Sequence, residues 1–231
     1  PTESISDVVT RLQSKLKSLL AAKIVKLTLN PNSSRLKVAV SMSPEGKSNQ
    51  LIASTFAIRG TTSAPHPKIV SNPKTIPLGT ALQFQITNNE SRHLYFSVLV
   101  IDSLGEMSVI FPNQWSASTE VMQVAAGQTL TIPEPSKDNF RLITQEPKGT
   151  TEVLIIASSN PLGNALKALQ KIAASRGQSR GAIGLSDPIE VINNLLSDID
   201  ANTRSVTAAS SQTHSINASH LAALSITFEV V

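Results

Sequence analysis

Few residues of this sequence have the types and spacing that catalysis or metal binding requires. The four histidines are His66, His93, His214 and His220, and no two of them have the short helical spacing of a zinc site. His93 precedes an apolar run and could act there as a base, but no Gly-x-Ser-x-Gly motif supplies a serine nucleophile. The sequence therefore predicts no catalytic residue, no metal and no cofactor.

Two other patterns also fall short of a reaction centre. Asp102 and Glu106 form a possible carboxylate pair, but they flank a predicted turn, where such residues bond to their own backbone. The glycine-rich stretch Arg176–Gly184 lacks the Lys-Ser/Thr pair and the preceding strand of a phosphate-binding loop. We interpret it as an exposed, mobile loop.

Two stretches are candidates for contacts with a partner. Phe111, Pro112, Asn113 and Trp115 end a predicted hairpin, and Trp115 is the one tryptophan of the chain. Its ring could stack on a ligand, or it could belong to the core or to an interface. In the second stretch, Arg176 and Arg180 form a candidate cleavage loop for a peptidase with basic specificity.

The elements that must position these residues are two short apolar runs, Leu94–Ile101 and Glu152–Ala157. Both are rich in β-branched residues and bounded by turn residues, which is typical of strands buried on two faces. We expect them to be the central strands, with Leu94–Ile101 forming a hairpin with Met107–Phe111. Strands in which apolar and polar residues alternate are predicted at 35–42, 82–87 and 224–230, and further short strands at 51–58, 121–124, 129–132 and 140–144.

Three helices are predicted around these strands. The first, Ile5–Leu29, is amphipathic with Lys and Arg opposite its apolar residues, and we expect its apolar face to pack on the domain rather than on a membrane. The second begins near Pro161, with Ser159 or Asn160 as its cap, and the third begins at Asp187-Pro188. The predicted class is α+β: an antiparallel β-sandwich-like core with the long N-terminal helix and the two C-terminal helices packed on it.

We divide the chain into residues 1–42 (helix and first strand), 43–161 (sandwich-like core) and 162–231 (helices, loop and terminal strand), all within one compact unit. The segment 61–77 contains four prolines, a density that excludes a helix or a central strand there. Because the chain begins at Pro1, we expect a piece cut from a longer protein.

Composition narrows the remaining function classes. The chain has 231 residues, a net charge of +4 and no cysteine, which excludes disulfides and favours a cytoplasmic setting. No apolar run is long enough for a membrane span, and basic residues do not alternate with aromatic ones as in nucleic-acid binders. Residues 1–47 are basic and residues 187–231 are acidic, so we expect the first and last helices to have solvated charged faces that lie near each other.

A further set of residues resembles a known family. The series is Leu94-Tyr95-Phe96-Ser97-Val98-Leu99-Val100-Ile101-Asp102, Gly105, Val109-Ile110-Phe111-Pro112-Asn113, Ala126-Gly127, Ile132-Pro133, Pro147-Lys148-Gly149 and Ile156-Ala157-Ser158. Over about Leu78–Pro161 it resembles a domain of unknown function that follows the catalytic domain of caspase-like cysteine peptidases, the metacaspase or orthocaspase group of cyanobacteria and other bacteria.

This resemblance implies a parent protein in which a histidine–cysteine dyad cleaves after basic residues. Since the sequence has no cysteine, no catalytic residue is transferred to it. We therefore expect a non-catalytic accessory or regulatory domain that binds the catalytic domain of the same polypeptide, or another protein. The alternative is a β-sandwich module that recognises a peptide or a glycan.

Overall fold

The computed structural model describes residues 4–28, 36–57, 74–201 and 220–231. Within these ranges the chain forms three helices and twelve strands. The helices are α1 (Ile5–Thr28), α2 (Gly163–Ser175) and α3 (Pro188–Ala201). The strands are β1 (Val38–Pro44), β2 (Ala53–Ala57), β3 (Lys74–Ile76), β4 (Ala81–Asn88), β5 (Leu94–Ile101), β6 (Met107–Phe111), β7 (Gln123–Val124), β8 (Thr129–Ile132), β9 (Leu142–Ile143), β10 (Gly149–Ser158), β11 (Ile183–Gly184) and β12 (Leu221–Val230).

The strands form two sheets. The outer sheet has the order β2-β1-β4-β8, with β9 also paired to β4, and the central sheet has the order β11-β6-β5-β10-β12-β3, with β7 paired to β5. All pairs are antiparallel except β12 with β3. The two predicted central strands, β5 and β10, are direct neighbours, with Val98 opposite Ile155. The predicted hairpin of β5 and β6 is also confirmed.

The central sheet is covered on both faces. On β5, Phe96 and Val98 pack into the core between the two sheets, while Leu99 and Ile101 pack into a second core beneath the helices. Because alternate residues enter different cores, both must be apolar, which explains the unbroken apolar run in the sequence. The molecule thus has three layers: outer sheet, central sheet and helices. The predicted α+β class with a sandwich-like core is confirmed.

Strands that bury only one face also agree with the predictions made from the sequence. Val38, Val40 and Met42 of β1 are buried, as predicted from their alternation. In β12 the alternate residues Leu224, Ile226 and Phe228 are buried in the same way, and the strand is tied into the sheet through β10.

Helix α1 packs on α3, and Lys17 lies 3.4 Å from the Asp187 carboxylate. The expected proximity of the basic first helix and the acidic last helix is confirmed. The expected direction of the apolar face is wrong. The small residues Ser18 and Ala21 are buried against the domain, while Leu12 and Leu16 on the opposite side are exposed.

Two local predictions are also corrected. Residues 119–122 form a 3-10 turn that buries Met122, so the strand predicted at 121–124 is reduced to the two residues of β7. Helix α2 has Leu162 at its cap position and no capping side chain from Ser159 or Asn160. The cap comes instead from α3, as described below. By contrast, α3 begins at Pro188, as predicted, and the Asp187 carboxylate accepts the Glu190 backbone N–H at its start.

Some predictions fall on other parts of the chain or are left open. Residues 58–73, with His66, and residues 202–219, with His214, lie outside the described residues. The three-part division of the chain remains a prediction. In the described part of the chain, no helix is long and apolar enough to cross a membrane.

Candidate functional site

The first candidate stretch, residues 111–115, leaves the end of β6 with its side chains turned inward. Phe111, Pro112, Asn113 and Trp115 are all buried. Asn113 is fixed by a hydrogen bond from its Nδ2 to the Asp138 carboxylate at 2.9 Å. Asp138 in turn accepts the backbone N–H of Glu134 at 2.7 Å, so the turn is braced by a neighbouring loop.

The second candidate stretch, residues 176–184, lies directly on the first. Gln114 and Arg180 form an antiparallel β-bridge. The Trp115 N–H donates to the Ser179 carbonyl at 3.0 Å, and the Gly181 N–H donates to the Asn113 carbonyl at 2.9 Å. The structure therefore brings together the two stretches that the sequence singled out separately. We call residues 111–115 and 176–184 together the Trp–Arg edge.

The Trp–Arg edge lies at the border of the central sheet. After the Gln114–Arg180 bridge the chain enters β11, which pairs with β6 through Ile183 and Val109. The loop predicted to be mobile is therefore held by backbone hydrogen bonds on the edge strand of the central sheet. Its glycines serve the turns: Gly177 and Gly181 have φ of 63° and 96°, a region that side chains disfavour.

Gln178 is a further positioning residue that sequence reasoning missed. Its Nε2 donates to the carbonyls of Arg180 at 3.0 Å and Ala182 at 2.8 Å, so one half-buried amide braces the whole loop. A glutamine two residues before an arginine matches no sequence motif. Its role becomes visible only in the structure, where the loop brings the two carbonyls to its amide group.

The ring of Trp115 belongs to the core beneath the helices and is 4% exposed. Its indole N–H has no hydrogen-bond partner among the residues that the structure describes. A ring in this position offers no face for a ligand to stack on. The interaction role predicted for residues 111–115 stays a prediction, and it would act through the backbone and the neighbouring loop.

The exposed groups of the Trp–Arg edge are basic and polar. Arg176, Ser179 and Arg180 are exposed. Arg176 follows the last turn of α2, where its backbone N–H is bonded to helix carbonyls. Neither guanidinium has an acidic partner within the described residues. The arrangement can therefore present two positive charges, four residues apart, from a braced loop.

Three other residues that could titrate, His220, His93 and Asp102, make contacts within the fold. Ser159 Oγ lies 2.9 Å from His220 Nδ1, and the Ser159 N–H also donates to the His220 carbonyl, which ties the end of β10 to the start of β12. His93 is exposed and meets Tyr95 edge to face at 5.6 Å. Asp102 Oδ1 accepts the backbone N–H of Glu106 in the β5–β6 turn, as expected.

Among the described residues, no cluster of three or more His, Cys, Asp or Glu side chains could hold a metal ion.

Comparison with protein families matches residues 75–161 to a family described as "Domain of unknown function (DUF4384)". No curated protein and no solved structure matches the chain. The matched residues run from β3 to just past β10, so they include Phe111–Trp115 but not the arginine loop. The predicted resemblance of about Leu78–Pro161 to a domain of unknown function is confirmed, and over residues 75–161 the chain is similar to this family.

Proposed function

We propose that this chain is a non-catalytic accessory domain that binds a partner protein through the Trp–Arg edge. The observation that carries this proposal is the pairing of residues 111–115 with the arginine loop, which holds Arg176 and Arg180 on a braced, exposed surface. A loop that is already ordered loses less conformational entropy on binding than a free one. Arginine also pairs with carboxylates through two parallel hydrogen bonds, which favours an acidic partner surface.

We further propose that the partner is the catalytic domain of a caspase-like cysteine peptidase, in the same polypeptide or in another, and that the setting is cytoplasmic. The residue series around Phe111-Pro112-Asn113 supports this, since it resembles the domain that follows such catalytic domains. Because the sequence has no cysteine, the histidine–cysteine dyad would have to lie in another domain. The accessory domain would then position or restrain proteolysis.

The proposed mechanism follows from the chemistry of basic specificity. A peptidase that cleaves after basic residues needs acidic groups to hold the side chain of its substrate. Arg180 could occupy such a site while its backbone stays in the bridge to Gln114. A peptide segment must be extended and free of such pairing to be cut. While the bridge to Gln114 is intact, the arginine loop would therefore block the peptidase without being cleaved. Once the bridge is broken, the loop would become a substrate.

The test adds this chain to a separated caspase-like catalytic domain and measures both binding and cleavage of an arginine-ended fluorogenic peptide. We expect binding with a changed cleavage rate, and loss of both in the double variant Arg176→Glu/Arg180→Glu. The matched control is Lys47→Glu/Lys148→Glu, which makes the same charge change at two exposed positions outside the edge. No binding at high micromolar concentration would contradict the proposal.

A secondary proposal is cleavage of the loop itself after Arg176 or Arg180. The intact mass of the chain after incubation with active peptidase tests it. Fragments ending at either arginine would support it, and an uncut chain would refute it.

The alternative function, recognition of a peptide or a glycan by the sandwich, has less support. Such modules use exposed rings, and the single tryptophan of this chain is buried. Since Trp115 offers no face for stacking, we favour the protein-binding function.

A further inference from the structure

Helix α1 carries an apolar stripe that the described residues leave uncovered. The side chains concerned are between 48% and 84% exposed, and we call them the α1 stripe: Ile5, Val9, Leu12, Leu16, Leu19 and Leu20. Monomeric proteins rarely expose a continuous apolar patch of this length. An apolar face of this kind indicates a contact that the described residues of one chain do not make.

The stripe is exposed on a helix that is itself anchored. On the opposite side of α1, Ser18 and Ala21 are buried, and Lys17 pairs with Asp187. The β5–β6 turn also fits closely under the helix, because a Cβ added at Gly105 would lie 2.9 Å from Lys15 Cγ. The small residues therefore face the domain, whereas Leu12 and Leu16 face away from it. Leu19 lies at the margin of the stripe, because a Cβ added at Gly105 would be 3.7 Å from Leu19 Cγ.

The spacing of the stripe specifies the kind of partner. Ile5, Val9, Leu12, Leu16 and Leu19 are separated by alternating steps of four and three residues, which is the pattern of a coiled-coil seam. Such a seam packs against another helix with the same repeat. The next position in the repeat is Lys23, so the seam changes from apolar to basic at its C-terminal end.

We infer that the α1 stripe pairs with the α1 stripe of a second copy of this chain, with the two helices antiparallel. This inference concerns a surface separate from the Trp–Arg edge and goes beyond the proposed function. Pairing two stripes would remove on the order of 1,000 Å² from water, close to the lower limit for a specific interface. The same patch on both copies gives the isologous contact of a two-fold dimer.

Charge determines the antiparallel direction. By sequence, Asp7 lies in the first turn of α1 and Lys23 lies near its C-terminal end. Antiparallel helices bring the acidic end of one copy beside the basic end of the other. Parallel helices would instead place the two Lys23 ammonium groups opposite each other in the seam, a like-charge contact that is unfavourable.

The antiparallel arrangement fixes which residues meet. Leu12 faces Leu16 of the other copy at the centre, and Val9 faces Leu19 on either side. At each end Ile5 faces Lys23. The two helices meet through their outer faces, and no residue of the Trp–Arg edge belongs to the α1 stripe.

Sedimentation velocity over a range of concentrations tests the pairing. We expect a weak dimer with Kd on the order of 1–100 μM, because the small gain from an interface near the lower size limit must offset the lost translational and rotational freedom. The double variant Leu12→Glu/Leu16→Glu should raise Kd at least about tenfold, since each dimer would bury four carboxylates in an apolar seam. The matched control is Leu51→Glu, at an exposed leucine outside α1, which should leave Kd unchanged.

Circular dichroism tests whether each variant is folded. We expect that it is, because the substituted leucines are exposed in the monomer. A wild-type chain that stays monomeric at several hundred micromolar would overturn the inference. So would equal loss of dimer in the Leu51→Glu control. Binding of the monomer to anionic phospholipid vesicles, with loss of that binding in the double variant, would assign the stripe to a membrane surface instead and would also overturn it.

Disulfide trapping tests the direction, since the chain has no cysteine of its own. Ile5→Cys and Lys23→Cys are prepared separately, mixed and mildly oxidised. Antiparallel helices should give disulfide-linked dimers that contain one chain of each variant, identified by intact mass. Dimers that link two chains of the same variant would show parallel helices and overturn the antiparallel arrangement.

Discussion

Asp198 of α3 caps the first turn of α2, because its Oδ2 accepts the backbone N–H of Ala165 at 2.9 Å. Its other oxygen accepts the N–H of Asn164 at 3.0 Å. The first N–H groups of a helix have no partner inside the helix, and a carboxylate beside them also interacts favourably with the helix dipole. One buried side chain therefore joins the two C-terminal helices and takes the place of a local cap.

Replacing Asp198 with Ala should lower the free energy of unfolding by about 1–3 kcal/mol, because the buried N–H of Ala165 and the part-buried N–H of Asn164 lose their acceptor. Urea unfolding measures the loss. The control is Ser197→Ala, at the exposed neighbouring position on α3, which should change stability by less than about 0.5 kcal/mol. Equal effects of the two substitutions would contradict the capping role.

The pH dependence of stability should also depend on Asp198. Burial raises the pKa of this carboxyl above 3.8, against the opposing effect of the Ala165 and Asn164 hydrogen bonds. A raised pKa means that Asp198 binds its proton more tightly in the folded state than in the unfolded state. Protonation of Asp198 therefore makes its full contribution to the free energy of unfolding below pH 3.8, and this contribution is lost as the pH rises through the folded-state pKa.

The Asp198→Asn variant lacks this titration. We therefore expect the wild type to lose stability relative to Asp198→Asn as the pH rises from 3.8 toward neutrality. Urea unfolding of both proteins at a series of pH values gives the difference directly. A difference that stays constant, or that changes in favour of the wild type, would refute the raised pKa.

Asn88 should be intolerant of a change that removes its amide donors. The side chain is buried at the end of β4, where Nδ2 donates to the carbonyls of Arg92 and Val124, and Oδ1 accepts the Glu90 N–H. In Asn88→Asp a carboxylate would face those carbonyls, with an expected loss of about 2–4 kcal/mol in thermal or urea unfolding. Asn89→Asp, at the exposed next residue, is the matched control and should be nearly neutral.

Trp115 should tolerate phenylalanine far better than alanine. Because its N–H has no partner within the described residues, Trp115→Phe removes no hydrogen bond and should cost about 1 kcal/mol, whereas Trp115→Ala leaves a cavity and should cost about 3–5 kcal/mol. Unfolding followed by far-UV circular dichroism compares the two without relying on the lost fluorophore. A loss in Trp115→Phe as large as the loss in Trp115→Ala would contradict this expectation.

Gln178 should protect Arg180 from proteolysis. Cleavage after Arg180 requires the loop to leave its bridge to Gln114, and the Gln178 amide holds the loop closed. Gln178→Ala should therefore increase the rate of trypsin cleavage at Arg180, measured by mass spectrometry at short times. Ser179→Ala is the control, because the bonded group of Ser179 is its backbone carbonyl, which the substitution keeps. An unchanged cleavage rate in Gln178→Ala would contradict the bracing role.

Much of the fold could be predicted from the sequence. Strands buried on two faces are continuous apolar runs, whereas strands with one solvent-exposed face alternate between apolar and polar residues. The run Leu94–Ile101 and the alternation in β12 are examples. The direction of α1 could not be predicted. Periodicity shows which residues share a face, but not whether that face meets the domain or another molecule, and here the domain contact uses Ser18 and Ala21.

The two stretches of the Trp–Arg edge could each be predicted from the sequence, but their contact could not. The sequence singles out Trp115 and Arg180, but their pairing depends on a loop that returns to the edge of β6 more than sixty residues later. The cap of α2 shows the same limit. Local candidates precede the helix, whereas Asp198 follows it by two dozen residues and reaches it only after α3 has packed.

The position of β12 has a consequence for how the molecule is made. This strand lies between β10 and β3, so an interior place in the central sheet is filled by residues 221–230. During synthesis, everything up to α3 has left the ribosome while one side of β10 still has no strand to bond. That open edge is a template for pairing with other chains. Folding of the central sheet is therefore completed only after residues 221–230 have emerged, and β10 keeps an unpaired edge until then.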